Sequence, residues 1–347
     1  MNPQRLQGFA YGTFLALAIG WVLHIGKDVL VPIVFSVLVV YVIVGLAEQL
    51  VRLPGIGRSA RLRYALSILA IALALAWVAA LLAAYASRVV ALAPQFQASL
   101  LATIQAGAER LGLEAMPTWG SLRQDVFGQL NLQRLLGSTV TSVTSILATL
   151  VVVFLYVTFL LLERRAYDSK VGNLSQDPRT VERVHAIVGA INAKIGSYLA
   201  LKTLISVLLG VVSWAVMAWA GLEFAAFWAV LIALLNYIPY LGSFLGVFFP
   251  VVFSLIQFGD HCSVMTVLVP LALAQMVIGN FLDPWMMSNS LNLSPFVILA
   301  SLATWSALWG IPGAFLAVPI TAVIAMVCAG FAPTRPIAVL LSRNGEV

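Results

Sequence analysis

The sequence predicts an all-α, polytopic transmembrane helical bundle, and three observations carry that prediction. Hydrophobic residues make up 62% of the 347 and charged residues only 9%, whereas soluble domains carry roughly 25% charged residues. Apolar runs recur at lengths that cross a hydrocarbon core, which takes about 20 helical residues. Basic residues gather at alternate ends of those runs, as the positive-inside rule demands of a chain threaded through a bilayer. The lipid bilayer is therefore the first partner this chain needs. With mean hydropathy at +1.02, water-soluble packing cannot hide the apolar surface.

Taken in order, spans are expected at residues 9–25, 29–47, 64–85, 143–162, 203–221 and 264–282, with two longer apolar stretches at 225–258 and 295–330. Only Arg5 precedes the first run as a basic residue. It reads as an uncleaved helix, because a second run follows within a few residues and no small-x-small site precedes it. Arg52, Arg58, Arg61 and Arg63 follow the second run and set that loop in the cytoplasm. Residues 88–142 then fall outside, with four Arg against Glu109, Glu114 and Asp125. Between Glu163 and Lys202 seven basic residues face four acidic ones, so that stretch returns inside. Arg335 and Arg343 place the C-terminus inside with the N-terminus. The same flanking positions exclude a nucleic-acid-binding stripe.

Two stretches between spans are amphipathic. Phe96, Leu100, Ile104, Ala108 and Leu111 recur at helical spacing, and Leu122, Val126 and Leu130 repeat the pattern after Met116-Pro117. Val181, Val184, Ile187, Val188 and Ile191 form a cytoplasmic stripe. Both are expected as interfacial helices, the second running on into the fifth span. The organisation is thus three N-terminal spans (1–85), an extracytoplasmic amphipathic segment (86–142), a fourth span with a cytoplasmic amphipathic helix (143–202), and a C-terminal core (203–347).

That core holds the informative residues. From Thr203 to Thr334 there is no Lys or Arg, and the acids are Glu223, Asp260 and Asp283. As one straight helix, 225–258 would measure about 50 Å, against a core of about 30 Å. Its middle reads Asn236-Tyr237-Ile238-Pro239-Tyr240-Leu241-Gly242, and 295–330 breaks at Trp309-Gly310-Ile311-Pro312-Gly313. Proline removes a backbone donor and glycine permits a reversal. Two re-entrant helical hairpins are therefore expected, with Pro239, Gly242, Gly310, Pro312 and Gly313 shaping their tips. Two long, proline-kinked spans are the alternative. Broken backbone at membrane depth persists where protein or a water-filled cavity satisfies it, and in transporters it lines the substrate site.

Among the acids, Asp283 is the strongest functional candidate, because a carboxylate near the bilayer is costly and no cation stands near it in sequence. Its partner must be an ion, a proton or a distant Lys or Arg. Glu223 and Asp260 read as loop acids. Cys262 and Cys328 read as apolar packing residues. His24, His185 and His261 are scattered, and no metal spacing or nucleophile-base pairing occurs. No cofactor, no metal and no enzymatic activity are expected.

The run Asn236 to Gly242 resembles the central motif of the AI-2E family of bacterial transporters. Phe281-Leu282-Asp283-Pro284, Leu291-Asn292-Leu293-Ser294-Pro295 and Gly310-Ile311-Pro312-Gly313-Ala314-Phe315-Leu316-Ala317-Val318-Pro319 follow in the family's order. The resemblance implies a secondary transporter of the bacterial inner membrane, re-entrant hairpins, a homopentamer, and export of autoinducer-2 or exchange of sodium or lithium for protons. On that basis a small polar solute moves by alternating access between the hairpins. Asn236, Tyr237, Asn280 and Asn292 would supply uncharged hydrogen bonds, and Asp283 would bind a coupling proton or cation. A passive pentameric channel or a scaffold is the reading from another class. The sequence departs from the family where Trp285, Ser288 and Asn289 replace an expected basic residue, a glycine and a second basic residue, and where Asp283 replaces the commoner Glu.

Overall fold

The computed structural model describes residues 3–52, 59–110, 132–173, 175–287 and 291–346. Among these, regular structure is helical apart from one isolated antiparallel bridge between Leu293 and Ser342. In chain order the helices are α1 (Pro3–Ile25), α2 (Lys27–Gln49), α3 (Ala60–Arg110), α4 (Leu132–Glu163), α5 (Tyr167–Gly172), α6 (Pro178–Trp219), α7 (Ala225–Leu235), α8 (Leu241–Phe258) and α9 (His261–Ala274). A π-helical segment, Gln275–Leu282, continues α9 and runs into α10 (Asp283–Met287). Then come α11 (Pro295–Trp309), α12 (Ile311–Gly330) and α13 (Arg335–Leu341). Six helices among the described residues are long and apolar enough to cross a membrane. Large apolar side chains such as Leu73, Trp77, Trp219, Phe244 and Phe281 stand exposed along them, a surface suited to hydrocarbon and not to water.

The two amphipathic stretches are continuous with apolar spans, as the sequence reading expects of the second. The stripe from Val181 to Ile191 lies within α6, one helix of 42 residues, about 63 Å long. The junction with the fifth span holds only the isolated Gly189 and Gly196. A single helical glycine costs about 1 kcal/mol, too little to break a long apolar helix. Likewise Phe96 to Ala108 continue α3, which runs 51 residues. Leu111, Leu122, Val126 and Leu130 lie outside the described residues.

The chain divides into two compact units that interleave along the sequence, where the sequence reading divides it consecutively. The first comprises Met1–Ile68, Val151–Leu201 and Met287–Val347, and the second Leu69–Leu150 and Lys202–Met286. In the first, a core of Ile195, Tyr198, Leu199, Leu293, Val318 and Ala322 is packed by Leu38, Tyr41 and Val42 of α2. Tyr41 donates its hydroxyl to Asn192 Oδ1 at 2.7 Å. In the second, Gly210 of α6 lets α7 approach closely: a Cβ there would meet the Ala233 Cβ and the Ala229 carbonyl.

Both broken stretches reverse direction, so neither is one long kinked helix. In the second unit Trp228 of α7 packs on Phe253 of α8 with ring centroids 5.4 Å apart, and Gly246 faces Ile232. In the first unit the Trp305 indole of α11 donates to Thr321 Oγ1 of α12 at 3.3 Å. Such cross-arm contacts require antiparallel arms joined by tight turns.

Candidate functional site

The first hairpin's turn follows from its residues. Pro239 has no N–H to continue the helix, and the last turn of α7 tightens as Tyr237 N and Ile238 N bond to Leu234 O and Leu235 O. Tyr240 then adopts φ 62°, ψ −53°, and Leu241 N donates to Pro239 O at 2.7 Å. This is a γ-turn of the rare positive-φ kind, which is strained for a residue with a side chain. Gly242 is required next, because a Cβ there would overlap the Leu235 carbonyl. The second tip is simpler. Gly310 turns the chain at φ 65°, ψ −141°, a region open essentially to glycine. Pro312 opens α12 near its first position. Gly313 is needed because a Cβ would overlap Trp305 O.

Polar side chains converge at the first tip. Three neighbours on α6 hydrogen-bond to side chains at the tip or at the π-helical segment's far end. Lys202 Nζ bonds to Asp283 Oδ2 at 2.5 Å. Thr203 Oγ1 and the Tyr237 hydroxyl lie 2.7 Å apart in a hydrogen bond that either can donate. Asn236 Nδ2 donates to Ser206 Oγ at 3.0 Å. Positions 202, 203 and 206 share one face of a helix and span about 6 Å of its axis. The seam is buried: Lys202 is 5% exposed, Ser206 2% and Asn236 4%. It lies about 20–25 Å of helix from Trp219, counted at 1.5 Å per residue.

Asp283 arrives at the seam through the π-helical segment, a form that is rare and recurs at functional sites. Inside it, Gln275 Nε2 donates to Ser243 Oγ at 2.9 Å, which ties the segment to α8. The carboxylate is only half satisfied: Oδ2 holds Lys202, while the buried Oδ1 has no hydrogen-bond partner. An ionised carboxylate accepts through both oxygens, so Oδ1 is open to a donor or a cation. No group of three or more His, Cys, Asp or Glu suited to a metal occurs among the described residues.

Of the five residues expected to bind solute or ion, the seam brings together Asn236, Tyr237 and Asp283. Asn280 stands exposed on the π-helical segment. Asn292 belongs to the first unit, where its amide donates to Glu346 O at 2.7 Å, its carbonyl accepts from Arg343 N, and its φ is 46°. Ser294 N bonds to Leu341 O beside it. The other acids are structural: Asp260 caps α9 by accepting from Ser263 N, and Glu223 sits in a loop that Gln257 fastens. Lys202, Thr203 and Ser206 are not among the residues the sequence points to. Their only signal is that Lys202 is the last cation before the cation-free block, with hydroxyls one and four positions on.

The family described as AI-2E family transporter matches residues 12–330. The chain is 29% identical over 325 residues to the AI-2 transport protein TqsA of Escherichia coli (strain K12), covering 92% of this chain and 91% of that one. It is 28% identical over 306 residues to YhhT of the same strain, covering 87% and 84%. A protein of Borreliella burgdorferi is 38% identical over 181 residues, 52% of this chain and 50% of that one.

Proposed function

This chain belongs to the AI-2E family of transporters, a multi-pass protein of the bacterial inner membrane, and from that membership we propose that it moves a small polar solute by alternating access. The observation that carries the proposal is the buried seam of Lys202, Thr203 and Ser206 against Asp283, Tyr237 and Asn236. A charge pair and two hydrogen-bonded pairs inside an apolar helical unit are expensive to keep unless they serve a solute or ion. Hairpin depth supports the same reading. The α7 arm has 11 residues, about 16 Å, so its tip ends inside a core of about 30 Å. We take the first hairpin as re-entrant for this reason, and the second by analogy, given its tight tip.

An autoinducer-2-like solute is the proposed cargo, since the relative TqsA is named an AI-2 transport protein. Asn236 and Tyr237 contact it, and Asp283 couples its movement to a cation. Asn280 and Asn292 are proposed to line other stages of the path. Exchange of sodium or lithium for protons is the second reading, favoured by the open oxygen of Asp283. Assembly as a pentamer rests on the family resemblance and is tested by mass measurement in native lipid. Proteoliposomes with labelled autoinducer-2 and a pH-sensitive dye decide between the readings. Saturable solute flux that Asn236→Ala abolishes supports the exporter. Proton movement driven by sodium or lithium without solute flux supports the antiporter. Absence of both overturns the transporter reading.

A further inference from the structure

Lys202 has no place in the scheme above beyond neutralising Asp283. The pair is nonetheless unusual for a structural ion pair. Its side chains are 7% and 15% exposed, so both charges have lost most of their water. A pair kept for stability alone gains when every remaining acceptor is satisfied, and apolar residues of similar volume often do better. Here the carboxylate meets a single ammonium on a single oxygen, while Oδ1 remains buried and bare. The atom left unsatisfied is an acceptor, so what it lacks is a positive charge or a donor. The ammonium sits on a flexible four-carbon stem, and Asp283 is the first residue of α10, where the π-helical segment gives way to it. Both partners therefore occupy places that can rearrange.

We propose that Lys202 is a tethered counter-ion that holds Asp283 in the unloaded transporter and competes with a mobile monovalent cation for its carboxylate. The inference rests on the reading of Asp283 as the coupling residue. When the mobile cation arrives at Oδ1, it takes over the neutralisation of Asp283 and the Lys202 ammonium withdraws, so the seam's net charge changes with loading. When the cation leaves, Lys202 closes again and the empty carrier is never left with a bare carboxylate in hydrocarbon. A neutral donor, such as a solute hydroxyl, would sit on Oδ1 beside Lys202 without competing.

The competition gives two variants opposite signs. Lys202→Met removes the competitor, and Lys202→Arg supplies a planar fork that engages both carboxylate oxygens. The full-length protein is placed in lipid nanodiscs, and its thermal midpoint is followed as sodium, lithium or potassium replaces choline at constant ionic strength. The expected result is a cation-specific rise in the native protein, half-complete at a concentration about tenfold or more lower in Lys202→Met and about tenfold or more higher in Lys202→Arg. Asp283→Asn abolishes the response. If Lys202→Met fails to fold, the Lys202→Arg shift decides alone. An unchanged midpoint concentration in the variants, a shift of the opposite sign, or no cation-specific response in the native protein overturns the proposal. Because the readout is binding, such a failure is distinct from a failure of solute or ion flux in proteoliposomes.

Discussion

Neutralising one member of the Lys202–Asp283 pair should cost far more than neutralising both. Asp283→Asn leaves a lysine buried without its carboxylate, and Lys202→Met leaves the carboxylate in the same state. With the partners 7% and 15% exposed and 2.5 Å apart, little solvent is available to take over. Removing one side of a buried pair costs about 3–5 kcal/mol, and an unpaired charge at membrane depth costs about 3 kcal/mol on insertion scales. Each single variant should therefore lose about 3 kcal/mol. The double variant Lys202→Met with Asp283→Asn buries no unpaired charge and should lose about 1 kcal/mol or less. The coupling energy is then about 5 kcal/mol, from the sum of the singles less the double. Reversible unfolding in mixed micelles, followed by tryptophan fluorescence, measures all four corners of the cycle. Losses that add to within about 0.5 kcal/mol would show that the two charges do not see each other, and the seam as described would be wrong.

Further outcomes concern the hairpin tips and the loop that precedes α6. Gly242→Ala and Gly313→Ala each drive a Cβ into a carbonyl of the opposing arm and should cost about 1–3 kcal/mol, read as a lower thermal midpoint and reduced flux. Tyr240→Gly should do the reverse. It relieves a strained backbone worth about 1–3 kcal/mol, and the ring is 57% exposed, so a raised midpoint is expected and a lowered one refutes the strain. Asp177 caps the start of α6 by accepting from Arg179 N and Thr180 Oγ1. The Thr180 hydroxyl foremost, then the Arg179 amide, holds its carboxyl below the ordinary value of 3.8. A depressed carboxylate stabilises above its unfolded value and loses that contribution as pH falls through the folded one. Hydrogen exchange in the first turn of α6 should therefore be accelerated by Asp177→Ala at pH 7, and the effect should fade as pH falls below the ordinary 3.8 and through the lower folded value.

Much of this was legible before any coordinates. The helical class, the two reversals and the residues that make them come directly from apolar run length and from Pro239, Gly242, Gly310 and Gly313, because those constraints are local. Asp283 reads from the sequence as a carboxylate whose partner is an ion, a proton or a distant Lys or Arg, and Lys202 meets it. The partner itself could not be read, since Lys202 stands 81 residues away and only helix packing brings them together. An amphipathic stripe and an apolar span look like two elements when read by their faces, yet α6 contains nothing strong enough to separate them. Asn292 illustrates the opposite limit: its place in the motif is clear, but its amide is engaged by the C-terminal backbone, which no local pattern announces.

A coupled transporter moves its solute against a gradient. Purified protein in proteoliposomes, given an inward sodium or proton gradient and labelled autoinducer-2 at equal concentration on both sides, should redistribute the label to a steady ratio away from one. The double variant lacking Lys202 and Asp283 should hold the ratio at one while still assembling. A native protein that only equalises concentrations, whatever the ion gradient, would be a channel and would contradict a coupled transporter built on this seam.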